Sequence, residues 1–439
     1  MMRFFPLIIT GFLFLTGCTQ QDLSEAGHTG IARWKDNKRA AISITYDDGT
    51  IHQFTVARPI MDSLGFKGTF YIITGKIRGS AQGKFIGRPV KDIIAETADA
   101  QTNADNFFER ASAIGFTGSG EALAYHTNAG ALYESGKIEE AYQLIDEGYL
   151  KLRSGEIPVS EHNPQYARTD STTWEDYRSY AADGHEIASH TVTHPRLAVL
   201  DEVNMLYELE QSKADIAKFL GPASTFSAEC PYGTEDERVM EYAHQIYPAL
   251  RNRMPEPWLE EINRSSSMQP GASDREYVQW QRGPLTNIQM QTMKSWIDTC
   301  VSRDNLWLVL VFHGVDGIGW EPRTGEELRE YFTYIKTKEE DVWVATFAEV
   351  TKYLRERKNT EINSELMGDR VRVVLTPKLD TSVYNIPLTL KTYLPGDWKK
   401  VSIRQAEHLI SYKMNKDETG LYILYNVHPS SQEIYIESI

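Results

Sequence analysis

The sequence predicts an α/β chain: a TIM-like deformed (β/α) barrel with a helical insertion and a C-terminal all-β, sandwich-like domain. Three observations predict it. Short, nearly continuous apolar runs alternate with helical stretches, the pattern of a parallel sheet covered on both faces. A long stretch rich in Ala, Glu and Gly interrupts that alternation. Beyond residue 368 the apolar period changes to two, the period of a half-buried strand.

The elements follow in order. Residues 40–46, Ala-Ala-Ile-Ser-Ile-Thr-Tyr, read as a buried strand that ends at Asp47-Asp48-Gly49. Residues 54–64 read as a helix and 68–73 as a second strand. The alternation resumes with a helix over 174–182, a strand over 186–189 and a long helix over 199–220. Apolar strands over 307–312 and 342–346 follow, the last leading into a helix to about 357. Repeated strand–helix units with short buried strands point to the barrel, over residues 33–83 and 172–357. The insertion spans 84–171. Within it, residues 122–152 resemble one tetratricopeptide hairpin, which cannot bury both its faces and must pack on the barrel or on a partner. Residues 358–368 are polar and read as a linker. The C-terminal domain, 369–439, carries two-residue periodicity at 371–375, 388–390, 421–424 and 434–436, with turn residues between.

A net charge of -15, with no cluster of Lys and Arg to break it, excludes nucleic acid as a partner, because phosphate binding needs a basic face. Aromatic residues at 11% suit stacking on sugar rings and equally suit ordinary cores. At the N-terminus Arg3 precedes an apolar run over 4–14, then Leu15-Thr16-Gly17-Cys18. A basic flank, a short apolar segment and small residues make a secretory signal over 1–17. Its end resembles a bacterial lipobox, which implies cleavage before Cys18, lipidation of its thiol, and a lipid-anchored protein of the bacterial cell envelope. Residues 18–32 are then a polar tether. Two further cysteines, Cys230 and Cys300, make no disulfide framework and read as free thiols.

Four short segments carry chemistry. In Thr45-Tyr46-Asp47-Asp48-Gly49, two adjacent carboxylates close a strand; ionised together in a dry site they repel, and a bound cation removes that conflict. Neighbouring side chains on a strand point opposite ways, so the two take different roles. Gly49 permits a sharp exit. His190-Thr191-Val192-Thr193-His194 places two histidines four residues apart, sharing a face of a helical turn and able to hold one metal ion. His185, just upstream, reads as a satisfied structural histidine. Cys230-Pro231-Tyr232-Gly233 reads as a turn after a strand. His313 directly follows an apolar strand, where a barrel presents residues to its active-site mouth.

In this order the segments resemble the motifs of the polysaccharide deacetylases with NodB homology, carbohydrate esterase family 4, over roughly residues 35–80 and 172–357. The resemblance implies that Asp48, His190 and His194 bind a divalent metal ion, most suitably zinc. It implies that Asp47 is the general base, that His313 is the general acid, and that the backbone N–H of Tyr232 shares the oxyanion. Two departures stand out. Glu229 occupies the position where the family carries an arginine that orients the base, and Cys230 replaces a proline. The family's fourth motif is not recognisable; residues 277–282 are its best candidate region, and Arg282 or Arg253 is the expected replacement cation near Asp47.

The reading is thus a metal-dependent hydrolase that removes acetyl groups, as O-acetyl esters or N-acetyl amides, from an acetylated glycan. Two alternatives stand beside it. One is a metal-dependent hydrolase of non-peptide amide bonds in a non-glycan substrate. The other is a catalytically inactive, glycan-binding surface lipoprotein.

Overall fold

The computed structural model describes residues 25–117, 119–159, 172–255, 261–263 and 278–439. The signal segment, Cys18 and Tyr277 lie outside them. The chain enters on a short strand, β1 (Thr29–Ile31). The parallel sheet that follows comprises β2 (Ala40–Tyr46), β3 (Thr69–Ile72), β4 (Glu186–Ser189), β5 (Ser227–Ala228), β6 (Ala249–Leu250), β7 (Glu261–Asn263), β8 (Val278–Arg282), β9 (Leu306–Phe312) and β10 (Val342–Val344). Its order is β6-β5-β4-β3-β2-β9-β8-β7, with β10 also paired to β2. Every residue of β2 is buried, as a central strand covered on both faces requires. Because all strands run the same way, their C-terminal ends meet at one edge, and Asp47, His190, Glu229, Arg251 and His313 all stand there or one residue beyond.

Helices flank the sheet: α1 (Arg58–Ser63), then the insertion α2 (Val90–Glu96), α3 (Phe107–Gly115), α4 (Gly120–Glu134) and α5 (Ile138–Ser154), and then α6 (Trp174–Ala182), α7 (Glu202–Leu220), α8 (Glu237–Ile246), α9 (Met290–Ser302), α10 (Gly325–Lys336) and α11 (Phe347–Lys358). Capping boxes Thr173/Asp176, Thr324/Glu327 and Thr346/Glu349 start α6, α10 and α11. The side chain of Asp201 caps α7, so that helix begins three residues after the expected Val199, which instead closes a 3₁₀ turn. In the insertion, Ala122 and Ala129 of α4 and Ile145 and Tyr149 of α5 share a core with α2, α3 and Val199 of the barrel. The hairpin thus buries its second face against its own neighbours and the barrel.

The C-terminal region is two antiparallel sheets around one core of residues such as Val373, Leu390, Ile423 and Ile436. Its strands are β11 (Thr360–Met367), β12 (Arg370–Pro377), β13 (Leu388–Tyr393), β14 (Val401–Gln405), β15 (His408–Leu409), β16 (Tyr412–Lys416), β17 (Leu421–Val427) and β18 (Ile434–Ser438). Two expectations are corrected here. Residues 360–367, expected within a linker, form the edge strand β11, paired along its whole length with β12. Residues 29–31, expected within a tether, form β1, which pairs with β13. Both are edge strands, β1 only three residues long and β11 with mostly solvated side chains, so their pairing leaves little hydrophobic pattern in the sequence.

Candidate metal and acid–base site

The first motif leaves β2 with Asp47 buried and Asp48 partly exposed at φ 75°. Gly49 follows at φ 67°, where a Cβ would lie 3.1 Å from Ile72 Cγ2, so the expected sharp exit is also a tight one. The second motif is not a helical turn. His190 to His194 form a loop after β4 with Thr191 and His194 in the left-handed region, at φ 66° and 62°. This loop, rather than helical spacing, brings the imidazoles together, with ring centroids 4.7 Å apart. Glu208 of α7 holds it: its carboxylate accepts the N–H groups of Val192 and Thr193, at 2.9 and 2.8 Å, and the Thr193 hydroxyl at 2.6 Å. Burial pushes Glu208 up to about 7 against those bonds.

Asp48 Oδ1 stands 3.4 Å from His194 Nε2 and 3.8 Å from His190 Nε2. The ligand atoms of the three residues lie within 4.8 Å of one another, and this carboxylate–imidazole set fits a divalent ion of the zinc type. His190 Nδ1 lies 2.9 Å from the Glu229 carbonyl, which takes its proton and leaves Nε2 as the donor atom for a cation. Burial, joined by mutual repulsion with its neighbour, pushes His190 down to about 4; burial and the Lys76 charge do the same to His194. Both rings are therefore neutral at ordinary pH, as ligation requires.

On the other side of the sheet edge, His313 Nε2 is 3.4 Å from Asp47 Oδ2. Gln53 ties the two strand ends together by donating to the carbonyls of both Asp47 and His313. The cation beside Asp47 is neither of the two arginines expected. Arg253 pairs with Glu237, 2.6 Å away on the surface, and Arg282 donates to the Gln281 carbonyl and lies over the Trp280 ring. Arg251, the residue after β6, makes the contact instead. Its guanidinium binds Asp47 through two bonds, at 2.8 and 2.6 Å, and donates to Thr45 Oγ1 at 2.7 Å. Glu229 Oε1 sits 3.0 Å from the same guanidinium. The carboxylate at the motif's usual arginine position thus holds an arginine on the neighbouring strand, an exchange of charge between two adjacent strands. Burial favours a neutral Asp47, but the charges of Arg251, His313 and His190 and the Arg251 bonds outweigh it and hold the carboxyl well below the usual carboxylate range. Asn252 pins the next turn, exchanging bonds with the Cys230 N–H and carbonyl at 2.8 and 3.1 Å.

Asp47, Asp48, His190, His194, Arg251 and His313 line a cavity of about 620 Å³ that also includes Tyr232, Gln281, Arg282 and Trp320. Tyr232, at φ 61°, packs its ring 4.9 Å from His194, and Trp320 stands 4.6 Å from His313. Both aromatic rings are substantially exposed, at 44% and 56%. Residues 278–282, the candidate fourth motif, do reach the site: Gln279 and Gln281 donate to the Arg251 carbonyl at 3.1 and 2.6 Å. His185 is structural as expected, accepting the Gly68 N–H and meeting Asp62, each at 3.1 Å. Cys230 and Cys300 are buried free thiols.

The model of the polysaccharide deacetylase family matches residues 156–247 of the chain. The match contains the His190–His194 loop and the Tyr232 turn, in agreement with the family resemblance read from those motifs. A gellan lyase from Bacillus sp is 26% identical over 279 residues, covering 59% of this chain and 11% of that protein. The chain therefore spans about a tenth of the length of that curated relative. Among solved structures, a peptidoglycan N-acetylglucosamine deacetylase aligns over 72% of this chain and 88% of its own, at 14% identity and a TM-score of 0.34. The Xyl-CE4 domain of a multidomain xylanase from the hindgut metagenome of Trinervitermes trinervoides aligns over 72% and 90%, at 12% identity and a TM-score of 0.32.

Proposed function

We propose that the chain is a metal-dependent deacetylase of an acetylated glycan. The observation that carries the reading is the convergence, in one cavity, of the Asp48–His190–His194 donor set with the Asp47–His313 pair. A divalent ion bound by that set, zinc being the best match to its donors, supplies Lewis acidity toward a water and a carbonyl oxygen. Asp47 takes the proton of the attacking water, held in place for it by Arg251, which donates to Thr45 as well. His313 gives a proton to the departing sugar oxygen or nitrogen. The Tyr232 N–H donates to the carbonyl oxygen as negative charge develops there. The exposed ring of Trp320 provides a flat apolar face for a sugar ring.

The test is acetate release from acetylated xylan, chitooligosaccharides, peptidoglycan fragments and acetylated gellan by the metal-loaded protein. Release from at least one glycan, abolished by Asp47→Asn, is expected. No release from any of them, together with hydrolysis of a cyclic amide, overturns the glycan reading.

The reading includes a location. The Leu15-Thr16-Gly17-Cys18 lipobox resemblance supports lipidation at Cys18 and attachment to the bacterial envelope. Among the described residues no helix is long and apolar enough to cross a membrane. Metabolic labelling with a fatty-acid probe should tag the protein, and Cys18→Ser should abolish the tag. An untagged parent protein overturns the anchor.

A further inference from the structure

The helical insertion reaches the lining of the cavity through Arg196. Glu134, the last residue of α4, accepts a bond from Arg196 Nη1 with one carboxylate oxygen and a bond from the Thr234 hydroxyl with the other. Both of its partners flank the site in sequence: Arg196 lies two residues after His194, and Thr234 two after Tyr232. The Arg196 guanidinium lies 4.5 Å over the Tyr232 ring, whose other neighbour is His194 at 4.9 Å. The ring of Tyr232 is thus packed against a fixed cation and a residue of the metal-binding set. The insertion fixes the arginine's backbone as well. His126 Nε2 accepts the Arg196 N–H at 3.1 Å, and His126 Nδ1 bonds the Ala111 carbonyl at 2.8 Å. The path of the arginine stem depends on Gly130, where a Cβ would run into Arg196 Cδ and would lie 2.7 Å from its Cγ.

Tyr232 needs such support. Its φ of 61° is a conformation that a non-glycine residue adopts only where its surroundings over-determine it. We infer that the insertion belongs to the catalytic apparatus: Glu134 is a positioning residue that, through Arg196, clamps the Tyr232 turn in its left-handed conformation, while Gly130 leaves room for the clamp. The inference rests on the deacetylase reading, in which that turn supplies the oxyanion donor.

The test uses the full-length, metal-loaded protein and the variants Glu134→Gln, Arg196→Met and Gly130→Ala. Four quantities are measured: kcat and KM on an aryl acetate, affinity for methylphosphonate as a tetrahedral anion, and bound metal. Each variant should lose roughly tenfold or more in kcat with KM within about twofold, since the oxyanion donor acts mainly as charge develops. Methylphosphonate affinity should fall in parallel, and metal content should stay at the parent level. Gly130→Ala keeps the readout free of helix loss, because alanine is the better helix former. The double variant Glu134→Gln/Arg196→Met should be no worse than Arg196→Met alone, since both changes break one device. Unchanged kcat and phosphonate affinity overturn the inference, as does a raised KM at constant kcat, which makes Arg196 a substrate contact. A parent protein that releases no acetate fails the deacetylase reading; the phosphonate affinities still decide the clamp.

Discussion

Arg251 grips Asp47 through two hydrogen bonds, at 2.8 and 2.6 Å, from the end of the strand next to the one that carries Glu229. A planar fork bound to both carboxylate oxygens fixes the orientation of Asp47 as well as its charge. A lysine at the same place offers only a point charge. Arg251→Lys should therefore lower kcat by about 10- to 100-fold while bound metal stays constant. Arg251→Met should in addition destabilise the fold, by about 3–5 kcal/mol, because it leaves the buried Asp47 and Glu229 without their cation. Kinetics and chemical denaturation check the two effects separately. A Lys variant with parental kcat would show that the fork is not needed.

The metal set makes a sharper division. His190→Ala should lose the divalent ion, whereas Asp47→Asn should retain it and lose about 100- to 10,000-fold in turnover. Elemental analysis of the purified variants reads the difference. The pH dependence of binding follows from the two imidazoles, both held down to about 4 in the folded chain. Their neutral, ligating forms persist as the medium is acidified and are lost only as pH falls to about 4. Metal release well above that value would contradict the ligand assignment.

His313 stands 3.4 Å from Asp47 and against the exposed Trp320 ring. As general acid it matters only when the leaving group needs a proton. His313→Ala should cost about 100-fold or more on sugar acetates and far less on an aryl acetate, with metal retained. Equal losses on the two substrates would instead give His313 a role in orienting substrate.

His126 gives the insertion a pH dependence of its own. Burial, with a smaller contribution from the Arg196 charge, pushes it down from 6.5 to about 4 despite its bond to the Ala111 carbonyl. The unfolded chain binds the proton more readily, so the stability His126 contributes is fully present above about 6.5. That stability is lost as pH falls toward 4. Protonation would also turn the Nε2 acceptor of the Arg196 N–H into a donor. Hydrogen-exchange protection factors, taken relative to the intrinsic rate at each pH, should therefore fall more at α3 and α4 than at β2 and β9 between pH 6.5 and 4. Uniform loss of protection would place the titration elsewhere.

The sequence by itself determined the groups that reach the sheet edge. A buried strand announces itself by a short apolar run, and the residue just past its end must emerge there. Asp47, Asp48, the His190–His194 pair, Tyr232 and His313 were legible for that reason; so were the helix over 174–182 and the one expected over 199–220, which starts at Glu202, because their periodicity is local. Only the tertiary structure decided what stands across from what. Arg251, Arg253 and Arg282 are alike as residue types, and the alignment of β6 beside β5 selects Arg251 for Asp47. The histidines meet because a loop with two left-handed residues, held by Glu208, carries them, and no spacing rule encodes that loop. Glu134 lies 62 residues from Arg196 in the chain, and the edge strands over 29–31 and 360–367 bury too little apolar surface to leave a period. Local propensity and periodicity act over a few residues. Pairing between distant polar groups is set by how whole elements pack, which no short stretch of sequence records.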